Sequence, residues 1–296
     1  MSTHVIIGAS GQVGEHLSAA ALSERLDVVG CYCRHSVPGM QQLDIRDSLA
    51  VFDLVRSLKP AVVHLPASMA NVDYCEEHPQ ETYAANVLGV KNVVDAVNKV
   101  GARLVYFSSD YIFDGTAGPY SEDDPANPIC EYGRQKVYAE HYVALNCRDY
   151  VIVRTTVVYG FERQGKNFIY RLINTLKSGN VLKVPVDQIG SPTYAPELAR
   201  AAVRLAQGKE QGVFHVVGSQ LSDRYEFALE AARVFGLDES LIEAVPTSQL
   251  SQRARRPLAA GMLVEKVSPY LDFCLSGYKE GLRAMKLAAR EENLIS

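Results

Sequence analysis

Over the first 160 residues, short apolar runs of strand character alternate with segments of helical period, and few architectures accept that rhythm. HVIIG at 4–8, DVVGCYC at 27–33, AVVHLP at 61–66, ARLVYFSS at 102–109 and DYVIVRTTVVYG at 149–160 are strand-like. Helical spacing covers 12–26, 48–60, 79–99 and a stretch around 132–146 between them. Parallel neighbours need a crossover, and a right-handed crossover lays its helix against one face of the sheet. The expectation is an α/β chain with a doubly wound parallel sheet.

The glycines give that sheet a task. Gly8-Ala9-Ser10-Gly11-Gln12-Val13-Gly14 follows the first strand and opens the first helix, the context that separates a dinucleotide fingerprint from a chance pattern. Gly8 permits the tight turn, Gly11 lets backbone approach a pyrophosphate, and Gly14 lets helix pack on strand. Ser10, Gln12 and Val13 complete the turn, and the helix N-terminus offers unpaired N–H groups and positive dipole to phosphates. The second strand ends Cys33-Arg34-His35 with no acid for a ribose 2′-hydroxyl. Arg34 therefore points to the 2′-phosphate of NADP(H). This is a Rossmann pattern.

After residue 160 the rhythm changes. Helical patterns at 167–179, 197–208 and 224–236 surround an irregular segment at 180–194 and a strand-like GVFHVVG at 212–218, and a last helical pattern covers 277–294. We expect an NADP-binding domain over 1–160 and a smaller mixed region over 161–296 that shapes a substrate pocket, with some segments returning to the main sheet.

Composition excludes several classes. The 296 residues are 47% hydrophobic with net charge −4, which gives no basic footprint for nucleic acid. No apolar run approaches the ~20 residues of a transmembrane helix. MSTHVIIGASG has no charged n-region or long h-region, so a cytoplasmic chain without signal peptide is expected. The six cysteines form no C-x-x-C pair and no Cys/His ligand cluster; reduced, mostly buried thiols and no metal site are expected.

EYGRQK at 131–136 sets Tyr132 and Lys136 four positions apart, on one helical face. In order and spacing, the glycine fingerprint, FSSDYIFDG at 107–115 and this pair resemble the extended short-chain dehydrogenase/reductase family over nearly the whole chain. The resemblance implies reduction of a carbonyl by NADPH. Tyr132 would donate the proton and Lys136 would lower the phenol pKa and bond the nicotinamide ribose. Ser109, or Ser108, would orient the carbonyl oxygen. It also places Asp44 and Ile45 beside the adenine and Asn86 behind the lysine.

Within the family, SSDYIFDG, NVDYCEEHP, RTTVVYG and VDQIGSPTYAPELA look most like the dTDP-4-dehydrorhamnose reductase branch. That branch implies a nucleotide-linked 4-keto-6-deoxyhexose as substrate, with Asp187, Gln188 and Arg256 as binding candidates and Val72 and Asp73 near the sugar. Arg256 is read either as a diphosphate contact or as a surface arginine. Homodimers are frequent in the family. One departure stands out: the branch commonly has a tryptophan where this chain, which has none, carries Val157. Two alternatives keep the fold: a non-catalytic NADP-binding subunit resembling the beta subunit of methionine adenosyltransferase, and an NAD-dependent nucleotide-sugar epimerase. The missing acid near Arg34 weighs against the epimerase.

Overall fold

The structure, a computed structural model, describes residues 2–291; the end of the helical pattern expected to reach 294 lies outside them. The expected alternation forms β1 (Thr3–Ile7), α1 (Gln12–Ser23), β2 (Asp27–Tyr32), a two-residue β3 (Gln41–Gln42), α2 (Ser48–Leu58) and β4 (Val62–Leu65). Asp47 starts α2 by accepting from the backbone of Leu49 and Ala50, satisfying amides that the first turn leaves free.

The pattern at 79–99 is not one helix. α3 (Val72–Glu77), α4 (Pro79–Tyr83), one π-helical turn (Ala84–Leu88) and α5 (Gly89–Val100) replace it. Pro79 lacks an N–H, so it opens a new helix after His78 rather than extending α3. The π turn aims the Asn86 amide inward, a frequent use of such bulges.

β5 (Arg103–Ser109), α6 (Glu131–Asn146) and β6 (Tyr150–Thr155) follow. The expected strand at 149–160 breaks after Thr155. Val157 adopts φ +45°, a conformation that a β-branched side chain resists, and the chain leaves the sheet to form β7 (Val158–Tyr159). Beyond it lie α7 (Phe168–Lys177), β8 (Leu182–Pro185), β9 (Ile189–Gly190), β10 (Thr193–Tyr194), α8 (Ala195–Gln207), β11 (Gly212–His215), β12 (Ser222–Asp223), α9 (Arg224–Phe235), β13 (Ile242–Val245) and α10 (Tyr278–Glu291). The irregular segment at 180–194 thus holds three short strands. Each is paired outside the main sheet: β8 with β13, β9 with β12 and β10 with β7.

The main sheet has seven parallel strands in the order β11-β6-β5-β4-β1-β2-β3, a doubly wound Rossmann arrangement. Every residue of β5 is buried, as a central strand covered on both faces requires. α2, α5 and α6 contribute to the core on one face, and α1 and α8 to the core on the other. A third core joins α7, α9 and α10 beside β8 and β13. The edge strand β11 pairs with β6, so part of the C-terminal half belongs to the main sheet. Among the described residues, no helix is long and apolar enough to cross a membrane.

Candidate active site

The strand order reverses between β1 and β4, which opens a crevice at their carboxyl ends. A cavity of about 530 Å³ fills it, lined by Gly8, Ser10, Gly11, Arg34, Asp44 and Ile45 among others. Gly8 has φ +100°, and a Cβ there would lie 2.9 Å from the Ala67 nitrogen. A Cβ on Gly11 would meet only the Gly8 carbonyl, at 3.5 Å, leaving its other side open to the cavity. Gln12, Val13 and Gly14 do not line the groove. The Gln12 amide faces Val158, Gly160 and Asn167, Val13 packs into the core, and Gly14 sits against the Gly8 carbonyl. An open backbone cradle at a helix N-terminus fits a dinucleotide diphosphate.

Basic side chains border this groove. Arg34, 63% exposed, lies 3.8 Å from Glu81. Lys166 contacts His35 and donates to the Gln164 side chain at 2.6 Å. Asp44 is engaged by Arg46, whose Nη2 is 2.6 Å from Oδ2; that hydrogen bond holds the carboxyl below its usual range. Arg46 escaped the sequence reading because only the folded turn brings it to the groove.

Helix α6 carries Tyr132 and Lys136 into the interior, 7% and 3% exposed. The Lys136 ammonium donates to the Phe107 carbonyl at 2.8 Å and lies 5.7 Å from the Tyr132 ring centroid. Burial depresses its pKa to about 8, opposed by the Glu140 carboxylate. The Tyr132 phenol is pushed well above its ordinary value, chiefly by burial. Burial of the phenol dominates, and the Lys136 ammonium is directed at the β5 backbone. Tyr111 meets Tyr132 edge-on with centroids 5.7 Å apart, and Ala254 packs in the same cluster.

Successive residues of a strand face opposite sides, and the two serines separate accordingly. Ser109 adjoins Tyr132 and donates to Asp110 Oδ1 at 2.9 Å, whereas the buried Ser108 hydroxyl has no hydrogen-bond partner among the described residues. Asn86 does not bond Lys136. It accepts from Ser68 and the Met69 amide and donates to the Gln135 side chain, fixing the residue beside the lysine.

A second cavity, about 660 Å³, shares Ala70 and Lys166 with the first. Its walls include Tyr111, Phe168, Arg171, Gln188, Arg224 and Arg256, with Asp73 and Val72 at one side. Arg256, 9% exposed, is no surface arginine: it pairs with Asp73 at 2.7 Å and leaves one buried nitrogen without a partner among the described residues. Gln188 lines the cavity while donating to Thr247 and Gln252. Asp187 does not line it. Its carboxylate accepts from the Thr247 amide and hydroxyl, bracing the loop behind. A small recess joins Asp110, Tyr111, Val157 and Arg224. The sequence reading missed Lys166, Arg171 and Arg224, although Phe168 and Arg171 share a helical face and Arg224 directly follows the α9 cap, Asp223. Among the described residues, no group of three or more His, Cys, Asp or Glu side chains is placed to hold a metal ion.

Residues 2–290 match the family described as the RmlD substrate binding domain. The chain belongs to that family. It is 31% identical to the dTDP-4-dehydrorhamnose reductase of Salmonella typhimurium, over 95% of this chain and 96% of that protein. A solved structure of dTDP-4-dehydrorhamnose reductase from Bacillus anthracis in complex with NADP superposes with a TM-score of 0.89 at 28% identity, covering 97% of this chain and 99% of that one. Methionine adenosyltransferase 2 subunit beta of Bos taurus is 30% identical over 85% of this chain and 78% of its own length.

Proposed function

We propose that the protein is an NADPH-dependent reductase acting on the 4-keto group of a nucleotide-linked 4-keto-6-deoxyhexose, converting dTDP-4-dehydrorhamnose to dTDP-L-rhamnose. The observation that carries this reading is the junction of a glycine-cradled groove with a cation-walled cavity, beside a buried Ser109, Tyr132 and Lys136. Similar proteins bear the reductase name, and one of them is solved in complex with NADP.

Bound in the groove, NADPH supplies the hydride. Gly8, Gly11 and the start of α1 receive its diphosphate, and Arg34 meets the 2′-phosphate. Lys136 donates to the nicotinamide ribose. Arg224, Arg256, Arg171 and Lys166 hold the diphosphate of the sugar nucleotide, fixing the ketone by remote binding. Ser109 donates to the ketone oxygen, and Tyr132 gives its proton to the same oxygen as charge develops there. The raised phenol pKa keeps Tyr132 in the protonated form that reduction consumes. Lys136, with its pKa near 8, is mostly cationic at neutral pH and stabilises the tyrosinate left behind.

The same reading assigns the protein to the cytoplasm, where free thiols persist; all six cysteines are unpaired. It also assigns a homodimer, for which α6 offers Tyr138 and Leu145, 55% and 84% exposed. The non-catalytic subunit is the second reading, favoured by the Bos taurus relative and by the cover that Tyr111 places on Tyr132. Turnover separates the two. Wild type should oxidise NADPH when given dTDP-4-dehydrorhamnose, and Tyr132→Phe should lose roughly 10²–10⁴-fold in kcat. A wild type that binds NADPH yet never turns over would favour the subunit.

A further inference from the structure

Ser109 has one hydroxyl proton, and the structure shows where it goes. Its Oγ donates to Asp110 Oδ1 at 2.9 Å and accepts from the Tyr111 amide at 3.3 Å. A hydroxyl that gives its proton to a carboxylate cannot also give it to a ketone oxygen. The other Asp110 oxygen accepts from Thr156 Oγ1 at 2.6 Å, and the carboxyl is 5% exposed. Both lone-pair systems are thus committed inside the protein.

We propose that Asp110 is a positioning residue whose protonated form turns the Ser109 hydroxyl toward the substrate carbonyl, so that binding of the keto sugar takes up one proton at Asp110. The proposal rests on the reductase reading. As an acid, Asp110 donates from one oxygen to Ser109 Oγ, which frees the serine proton for the ketone. The proton comes from solvent and returns to it when product leaves; no covalent bond changes. Asp110 itself touches neither ketone nor cofactor.

The surroundings support a carboxyl that changes state. Burial pushes its pKa up to about 6, while hydrogen bonds from Thr156 and Ser109 and the charge of Arg224 pull it down. The titratable groups facing it are Arg224 from α9, Tyr132 from α6 and its own neighbour Tyr111. Arg224 lines the substrate cavity, so an anionic diphosphate there offsets its charge and moves Asp110 further toward the acid.

The test titrates dTDP-4-dehydrorhamnose into protein loaded with NADP⁺, a pair in which both partners are already oxidised and no turnover follows. Calorimetry at pH about 7.5 in two buffers of different ionisation heat reads the protons exchanged. About one proton taken up per site is expected for wild type. Asp110→Asn, whose amide donates permanently to Ser109, should bind with no uptake. In turnover, wild-type kcat/KM should fall about tenfold per pH unit above the Asp110 pKa. Asp110→Asn should keep only the later limb of Lys136 near pH 8. Thr156→Val removes a bond that favours the carboxylate, so it should move the first limb to higher pH. Binding without proton uptake in wild type, uptake that persists in Asp110→Asn, or an unmoved limb in Thr156→Val would each overturn the role of Asp110. Wild-type turnover in the same preparation keeps the reductase reading separate: a protein that reduces the ketone without proton uptake refutes only the proposal.

Discussion

Gly11 and Gly14 look equivalent in the fingerprint, yet replacing each by alanine should produce opposite failures. A Cβ on Gly14 would stand 2.1 Å from the Gly8 carbonyl oxygen, 2.6 Å from Ala9 Cα and 2.8 Å from the Gly8 carbonyl carbon. All three are backbone atoms, so no rotamer change relieves the clash and the β1–α1 junction must shift. Overpacking of this kind costs about 1–3 kcal/mol and occasionally more, and the gain in helix propensity returns about 1 kcal/mol at most. With no side chain able to yield, we place the net loss near 2 kcal/mol, a fall in Tm of about 3 °C for a chain of 296 residues. Gly11 already has an extended backbone, φ −94° and ψ 167°, and its added methyl would make ordinary contact with one atom. Gly11→Ala should therefore melt within about 1 kcal/mol of wild type. The methyl would instead occupy the approach to the diphosphate and raise the Kd for NADPH by about tenfold, or 1.4 kcal/mol. Thermal melts and NADPH fluorescence titrations on the two variants read both axes. A Gly14→Ala protein as stable as wild type, or a Gly11→Ala protein with unchanged affinity, would refute the division of roles.

Arg34 is 63% exposed and only loosely paired with Glu81, so Arg34→Ala should weaken NADPH about tenfold, after allowance for solvent screening, and leave NADH unaffected. Equal losses for the two cofactors would remove it from the 2′-phosphate site. Burial holds His64 and His215 down to about 3, against an ordinary 6.5. The unfolded chain binds protons at these groups first, so their stability contribution is complete above 6.5 and is lost as pH falls toward 3. The loss is about 2 kcal/mol per histidine near pH 5, opposed by a smaller gain from Asp110, whose pKa is raised. Tm should fall across that window and His64→Gln should flatten the slope; a parallel slope in the variant would contradict this.

Local chemistry was legible where one segment acts alone. The strand-helix alternation implies the parallel sheet, and Gly8 to Gly14 mark the crevice from their spacing alone. What depends on chain reversal was hidden. Arg171 and Arg224 meet only because α7 and α9 close over the same cavity, and Lys166 reaches two cavities from the loop before α7. The strand pattern at 149–160 gave no warning of Val157, whose backbone conformation opposes its own side-chain preference. Asp187 lies beside Gln188 in sequence but points the other way, as neighbours in an extended segment do. The tyrosine-lysine spacing placed both residues on one face, but burial shifted the pKa of each, and burial is a property of the packed interior.

Hydride delivery to the sugar is the step on which the rest depends. We would incubate the protein with NADPH deuterated on the transferred face and dTDP-4-dehydrorhamnose, then locate the label in the product by NMR. One deuterium bonded to C4 of a dTDP-linked 6-deoxyhexose is the expected result, absent with Tyr132→Phe. Unlabelled sugar recovered beside unconsumed NADPH would contradict the assignment of this chain as a ketone reductase.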